Sequence, residues 1–189
     1  VTKPPFEQFF AYRRFYGIAE LTPDGERVLF VSNISGQFNL WSAELDGGWP
    51  EQLTTFIDHS VRGVAVREDG AILFQADKDG DEFHQLYLIP AGGGWPEQLT
   101  DLPQVQHELS PAAWAPDGKS FAFSGNRRTP TDGEVFVWRE GEAEPRYLFG
   151  EGMYAFAVSF SPDGSKLLAV EFRSNTDFSI WVVDVASGD

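Results

Sequence analysis

The chain contains no cysteine and only one methionine in 189 residues. Without thiols there is no disulfide framework, no thiolate nucleophile and no cysteine-bound zinc. Basic residues are scarce too: 14 Lys and Arg stand against 29 Asp and Glu, a formal net charge of −15. A surface of that sign repels phosphate backbones and anionic headgroups, so neither nucleic acid nor membrane is an expected partner. No apolar run approaches the roughly 18 residues of a spanning helix. No secretory-leader pattern precedes the first repeat, and the expected location is cytoplasmic. The only histidines, His59, His84 and His107, fall at unrelated phases of the repeat described next, and H-E-x-x-H is absent. No metal and no cofactor is therefore expected.

What is present is a long-period repeat. Gly47-Gly48-Trp49-Pro50-Glu51-Gln52-Leu53-Thr54 recurs 46 residues later as Gly93-Gly94-Trp95-Pro96-Glu97-Gln98-Leu99-Thr100. A second marker runs in step: Asp24-Gly25, Asp69-Gly70, Asp117-Gly118 and Asp163-Gly164, with the glycines 45, 48 and 46 residues apart. Each is a tight turn, in which Asp tolerates the bridge region and Gly takes the left-handed position. Their equal spacing puts them at equivalent corners of separate units, which argues against a paired-carboxylate site.

Each unit repeats the same short strand signals. The first has Ile18 to Leu21, Arg27 to Val31, Phe38 to Leu45 and Pro50 to Thr54. The second has Val64 to Val66, Ala71 to Phe74, Gln85 to Ile89 and Glu97 to Thr100. The third offers Ala112 to Trp114, Ser120 to Phe123, Val135 to Trp138 and Arg146 to Leu148; the fourth offers Ala157 to Phe160, Lys166 to Val170 and Ser179 to Val183. Four short antiparallel strands per unit of about 40–50 residues describe an all-β fold of β-propeller blades. The blades are read as 18–60, 61–108, 109–153 and 154–189, the last incomplete. Residues 1–17 form an arm in which Pro4 to Phe15 has the pattern of a short amphipathic helix. Trp41, Tyr87, Trp138 and Trp181 recur at matched places and read as packing between blades.

Between the repeated positions lie the candidate functional residues. Asp77-Lys78-Asp79-Gly80-Asp81-Glu82 resembles a calcium loop, but Glu82 stands where the glycine is needed and Leu88 where a carboxylate is needed. It reads as a solvated acidic hairpin. Arg127 and Arg128 fall between the second and third strands of the third unit, where they could clamp a carboxylate, bridge to another domain or simply pair with nearby acids.

The phrase Pro-Asp-Gly followed by the Leu40-Trp41 strand and the Gln52-Leu53-Thr54 ending resembles the blades of prolyl oligopeptidase family serine peptidases and of TolB-type proteins. Phe30-Val31-Ser32-Asn33, Gln75 to Glu82 and Gly125-Asn126-Arg127-Arg128 are similar to the propellers of the acylaminoacyl-peptidase and dipeptidyl-aminopeptidase branch. The resemblance covers residues 6–189. It implies a propeller that gates short peptides into an α/β-hydrolase domain carrying a Ser-Asp-His triad, and it makes that domain and short peptides the expected partners. Members of the dipeptidyl branch use propeller glutamates to draw in a peptide's terminal ammonium, which Glu82 could do from its loop without being matched to those glutamates. No G-x-S-x-G elbow occurs here: Ser35, Ser124 and Ser187 precede glycines but lack the earlier one. No catalytic residue is carried over, and the 189 residues alone are expected to be inactive. A TolB-like interaction module without enzymatic activity is the alternative. The blade count leaves three arrangements open: part of a longer peptidase, a half-ring that self-associates through open blade faces, or a small complete ring.

Overall fold

The computed structural model describes Lys3, Pro5 and residues 12–189 of the chain. Fifteen strands form four antiparallel sheets. Blade 1 holds β1 (Phe15–Leu21), β2 (Arg27–Ser32), β3 (Asn39–Glu44) and β4 (Glu51–Gln52). Blade 2 holds β5 (His59–Val66), β6 (Ile72–Lys78), β7 (Gln85–Ile89) and β8 (Glu97–Gln98). Blade 3 holds β9 (His107–Glu108), β10 (Ser120–Gly125), β11 (Glu134–Arg139) and β12 (Arg146–Phe149). Blade 4 has three strands, β13 (Ala155–Phe160), β14 (Lys166–Ser174) and β15 (Asp177–Asp184). Strands pair in chain order within every sheet, so the chain is a run of propeller blades.

Local chemistry fixes the corners. The turn glycines Gly25, Gly70, Gly118 and Gly164 all have positive φ, between 62° and 90°. The preceding carboxylates accept from the outgoing strand: Asp24 from Glu26 N at 3.0 Å, Asp69 from Ala71 N at 3.0 Å, Asp117 from Ser120 N at 2.8 Å and Asp163 from Ser165 N at 3.0 Å. The repeated octapeptide has a structural reason as well. Leu53 N and Leu99 N each donate at 2.8 Å to the carbonyls of Leu40 and Leu86. The hydroxyls of Thr54 and Thr100 then accept from Leu40 N and Leu86 N, at 2.9 and 2.8 Å. The ladder itself stops after Gln52 and Gln98, so these outer strands are two residues long, and the threonine side chain takes over the next backbone donor. Trp49 and Trp95 of the same phrase project into solvent, 91% and 77% exposed.

The core is divided into three parts, one between each pair of successive blades. Leu29, Val31 and Leu40 of blade 1 pack on Val61, Val64, Phe74 and Tyr87 of blade 2. Ala65, Leu73 and Leu86 of blade 2 meet Phe121, Phe123 and Phe136 of blade 3. Val135, Val137 and Leu148 of blade 3 meet Ala155, Leu167, Ala169 and Val183 of blade 4. The period-2 alternation of each inner strand thus feeds two interfaces at once, which is why these strands read as continuous apolar runs. Fully buried side chains such as Phe74 and Phe123 each contribute about 1.5–3 kcal/mol. On the far side of blade 4 the same alternation leaves Phe172, Phe178, Ile180 and Val182 between 43% and 66% exposed. Phe172 meets Phe156 edge to face and Phe178 at a tilt, with ring centroids at 5.6 and 6.2 Å.

Several expectations are revised. Most of the expected N-terminal helix, Pro4 to Phe15, lies outside the described residues. Its end is strand: β1 begins at Phe15, because Asn33 Oδ1 accepts from Arg14 N at 2.6 Å and Ser32 Oγ donates to Arg14 O at 2.7 Å. Blade 3 opens with His107–Glu108 rather than Ala112 to Trp114, of which only a bridge from Trp114 to Phe121 survives. Leu109 N is diverted to Gln75 Oε1 at 2.5 Å and Pro111 has no N–H to give, so the inner strand breaks there. Trp41 stands opposite Phe30, Tyr87 opposite Phe74 and Trp181 opposite Ala169. In blade 3 the matching place, opposite Phe123, belongs to Phe136, and Trp138 lies two residues further along the same face. Asp77 is not in a solvated hairpin: it is the penultimate residue of β6 and is 1% exposed.

Candidate functional site

Antiparallel order places the second-to-third strand loops of all blades at one end of the molecule, together with the connections from one blade to the next. The Asp-Gly turns lie at the other end. The first end carries every residue singled out between the repeats, and it is also where buried charge collects.

Its centre is a polar knot between blades 2 and 3. Gln75, 3% exposed on β6, donates through Nε2 to Glu108 Oε2 at 2.8 Å, while its Oε1 takes the Leu109 backbone. Gln106 Nε2 donates to Glu108 Oε1 at 2.7 Å, and His84 Nδ1 lies 3.2 Å from the same oxygen. Burial alone would raise the Glu108 pKa, but the bonds from His84, Gln75 and Gln106 outweigh it and hold the carboxyl below its ordinary value. Glu108 is an anion at neutral pH, half-sheltered and preorganised. It lines a small cleft of about 60 Å³ with Gln106, Asn126, Asp132, Tyr154 and Phe156. Two carboxylates beside aromatic edges suit a small cationic group.

His107 adjoins this knot and is fully buried. Its Nδ1 is 2.9 Å from His84 O and its Nε2 is 3.4 Å from Arg127 Nη1. Nδ1–H donates to the carbonyl, and Nε2 is left to accept from the guanidinium. Burial, aided by the Arg127 charge, pushes its pKa down to about 4, so the ring is neutral at pH 7.

The two predicted arginines diverge. Arg127 reaches Glu144 at 2.7 Å and lies over the Phe136 ring at 5.9 Å. Arg128 lies over the Tyr147 ring at 4.1 Å, with Nη1 3.1 Å from Glu134 and Nη2 3.9 Å from Glu151. Both guanidiniums are engaged by acids of blade 3, so they do not form a joint clamp. Glu82 is exposed in the β6–β7 loop with φ 64°, one of three non-glycine residues in the left-handed region among those described. The eight turn residues, Asp24, Gly25, Asp69, Gly70, Asp117, Gly118, Asp163 and Gly164, lie at the opposite end in the turns described above.

A last charged pair sits between blades 1 and 2. Arg62 Nε is 3.4 Å from the buried Asp77 Oδ1, and its guanidinium lies against the rings of both Tyr16 and Phe38, at 5.4 and 5.1 Å. The sequence reading missed Gln75, His84, Gln106 and Glu108. The one available signal was Gln75 itself, a lone polar residue in the apolar run Leu73-Phe74-Gln75-Ala76.

No family model matches the chain. The dipeptidyl aminopeptidase BIII of Pseudoxanthomonas mexicana is 23% identical over 220 aligned residues, spanning 89% of this chain and 32% of that protein. The chain thus spans about a third of the length of that relative. Among solved structures, TolB of Acinetobacter baumannii superposes with a TM-score of 0.69 at 20% identity, over 90% of this chain and 41% of that one. A puromycin-hydrolysing peptidase of Mycobacterium tuberculosis gives 0.67 at 14% identity, over 93% and 28%. The shared feature is the propeller. At these identities the likeness is one of fold, common to TolB and to peptidase propeller domains.

Proposed function

We propose that this chain is the non-catalytic propeller portion of a prolyl-oligopeptidase-family serine peptidase that hydrolyses short peptides. The reading rests above all on the match to a dipeptidyl aminopeptidase that takes in 89% of this chain yet only 32% of that protein. The sequence supplies no G-x-S-x-G elbow, so the chemistry belongs to an α/β-hydrolase domain carried by the remainder. The propeller's part is exclusion: a rigid stack of blades admits an extended peptide and turns away a folded protein. The charged end, with Glu108 and Asp132 in the cleft and Glu82 on a nearby loop, is the side on which a peptide's ammonium would be met. Glu82, Arg127 and Arg128 are part of this proposal as rim residues. The uncovered far face of blade 4 would pack on a further blade or on a second copy.

A second reading is favoured by the TolB superposition: an interaction propeller that belongs to no enzyme. Two measurements separate them. The coding sequence beyond Asp189 should contain G-x-S-x-G followed by Asp and His on the first reading, and further blades ending in a stop codon on the second. The 189-residue chain should give no turnover of aminoacyl or acylaminoacyl chromogenic peptides. Turnover blocked by a serine-directed inhibitor would overturn the assignment of a non-catalytic portion. Sedimentation of the chain tests self-association, for which a monomer at all concentrations is the negative result.

A further inference from the structure

The first residue of the third strand has one job in blades 1 and 2. Asn39 Oδ1 accepts from Thr54 Oγ1 at 2.8 Å and from Phe56 N at 2.9 Å, and its Nδ2 donates to Phe56 O at 3.0 Å. Gln85 Oε1 accepts from Leu102 N at 3.1 Å, and its Nε2 donates to Leu102 O at 3.2 Å and Val105 O at 2.9 Å. In both blades a side-chain amide staples the connection that leads into the next blade, with one oxygen accepting and one nitrogen donating.

Blade 3 has Glu134 at that place, paired with Gly125 as Asn39 is with Ser32 and Gln85 with Ala76. It is fully buried, and neither carboxylate oxygen accepts a well-formed hydrogen bond. The connection it should staple, residues 150–154, runs alongside its backbone: a Cβ built on Gly150 would stand 3.5 Å from Glu134 Cα. A carboxylate has no proton to donate there, whereas a carboxylic acid sets one O–H donor beside an accepting oxygen, as the amides set a donating nitrogen beside one.

We propose that Glu134 is a proton-operated latch on the connection between blades 3 and 4: protonated, it donates to a carbonyl of residues 150–154, and ionised, it leaves them held by the backbone bonds of Gly133 to Met153 and Ala155. The groups that face it are Arg128, through its guanidinium and its backbone, and the carboxylates of Asp132 and Glu151. Burial raises its pKa, Arg128 opposes that rise, and the two acids reinforce it; the net direction is upward. The latch therefore closes on acidification, from a pH above that at which an ordinary glutamate protonates. The connection ends at Tyr154 and leads into Phe156, and both line the cleft beside Glu108. This inference stands on the blade geometry and does not depend on the peptidase reading.

The test is NMR on the full chain between pH 4 and 8, following the Glu134 side-chain carboxyl carbon and the amide protection of residues 150–155. The Glu134 carboxyl should titrate above the ordinary glutamate value, and protection of the connection should rise at low pH with the same midpoint. Protection should change about tenfold for each pH unit separating the Glu134 pKa in the closed and open states. Glu134→Gln should show the low-pH protection at every pH, and Glu151→Gln should leave the titration in place. Should Glu134→Gln not fold, the coincidence of the two wild-type midpoints decides alone. An ordinary Glu134 pKa, a connection indifferent to the Glu134 titration, or a pH response that survives in Glu134→Gln would overturn the proposal.

Discussion

Thr54→Val removes one oxygen and almost no volume, from a side chain that is fully buried. That oxygen does two things. It accepts from Leu40 N at 2.9 Å, and its proton goes to Asn39 Oδ1 at 2.8 Å. Leu40 O and N both point toward the outer strand, and the carbonyl is taken by Leu53 N, so no other ladder partner awaits the amide. The valine leaves a buried N–H unpaired, which costs about 1–3 kcal/mol, and forfeits a second bond worth about 1 kcal/mol. The sum is about 2–4 kcal/mol. Each kcal/mol is worth about 2–4 °C in a domain of this size. Thr100→Val should cost less, since Thr100 Oγ1 accepts from Leu86 N at 2.8 Å but does not donate to Gln85, the counterpart of Asn39. Thr55→Val, on an exposed neighbour, should lie within about 0.5 kcal/mol of wild type. Urea unfolding followed by tryptophan fluorescence measures all three, with Thr54→Ser as the rescue that restores the oxygen. A Thr54→Val protein as stable as Thr55→Val, or a serine variant as weak as the valine, would refute the reasoning.

Three further outcomes are expected. His107 is neutral in the fold down to about pH 4, whereas the unfolded chain protonates it below its ordinary 6.5. The unfolded state therefore binds more protons between these values, and stability falls by about 3 kcal/mol as pH drops from 6.5 to 4. Subtracting the same urea series for His107→Gln should isolate that slope; identical slopes would place the acid sensitivity elsewhere. Gly125→Ala puts a Cβ 2.7 Å from the Gln106 carbonyl, a clash with backbone that should cost about 1–3 kcal/mol, whereas Gly17→Ala meets nothing within 4 Å. Thermal melts should separate the two, and equal melting points would mean that β9 can shift freely. Val183→Ala, at a side chain 1% exposed against blade 3, should cost about 2 kcal/mol, while Val182→Ala, 66% exposed, should change stability by under about 0.5 kcal/mol. A costly Val182→Ala would mean that the far face of blade 4 is already covered in solution.

What the sequence made legible was whatever local chemistry decides. The Asp-Gly corners needed only the turn's φ and a nearby carboxylate, and all four appear as read. Strands such as Ile72–Lys78 were visible because both faces are buried, which leaves an apolar run with no periodic polar partner. The first strand of blade 3 was misplaced because the cause lies elsewhere: Gln75, 34 residues earlier, captures the Leu109 amide. The polar knot was hidden for the same reason, since Glu108, Gln75 and His84 come from two blades and meet only after docking. Trp138 was chosen as the matched aromatic because tryptophan is conspicuous. Register, which assigns that place to Phe136, is set by pairing with Phe123 and leaves no mark in composition.

Aligning the blades by register rather than by motif turns the repeat into an internal control. Asn33 and Asn126 occupy one place, where each holds the backbone entering its blade's first strand, through Arg14 N and Gln106 N. Blade 2 has Asp77 there, buried, with neither oxygen hydrogen-bonded. Asn39 and Gln85 occupy another, and blade 3 has Glu134. In both cases an amide that the fold can fully satisfy is replaced by a carboxylate that it does not, and an arginine, Arg62 or Arg128, is supplied at 3.4 or 3.1 Å. A buried ion pair of this kind rarely stabilises a protein more than a well-matched neutral group would. Stability therefore gives no reason for either substitution, since the neutral solution already exists in the neighbouring blades. Both lie at the end of the molecule that carries Glu108 and its cleft, and neither lies among the Asp-Gly corners. The departures from the repeat, more than the repeat itself, mark where this propeller meets something other than its own blades.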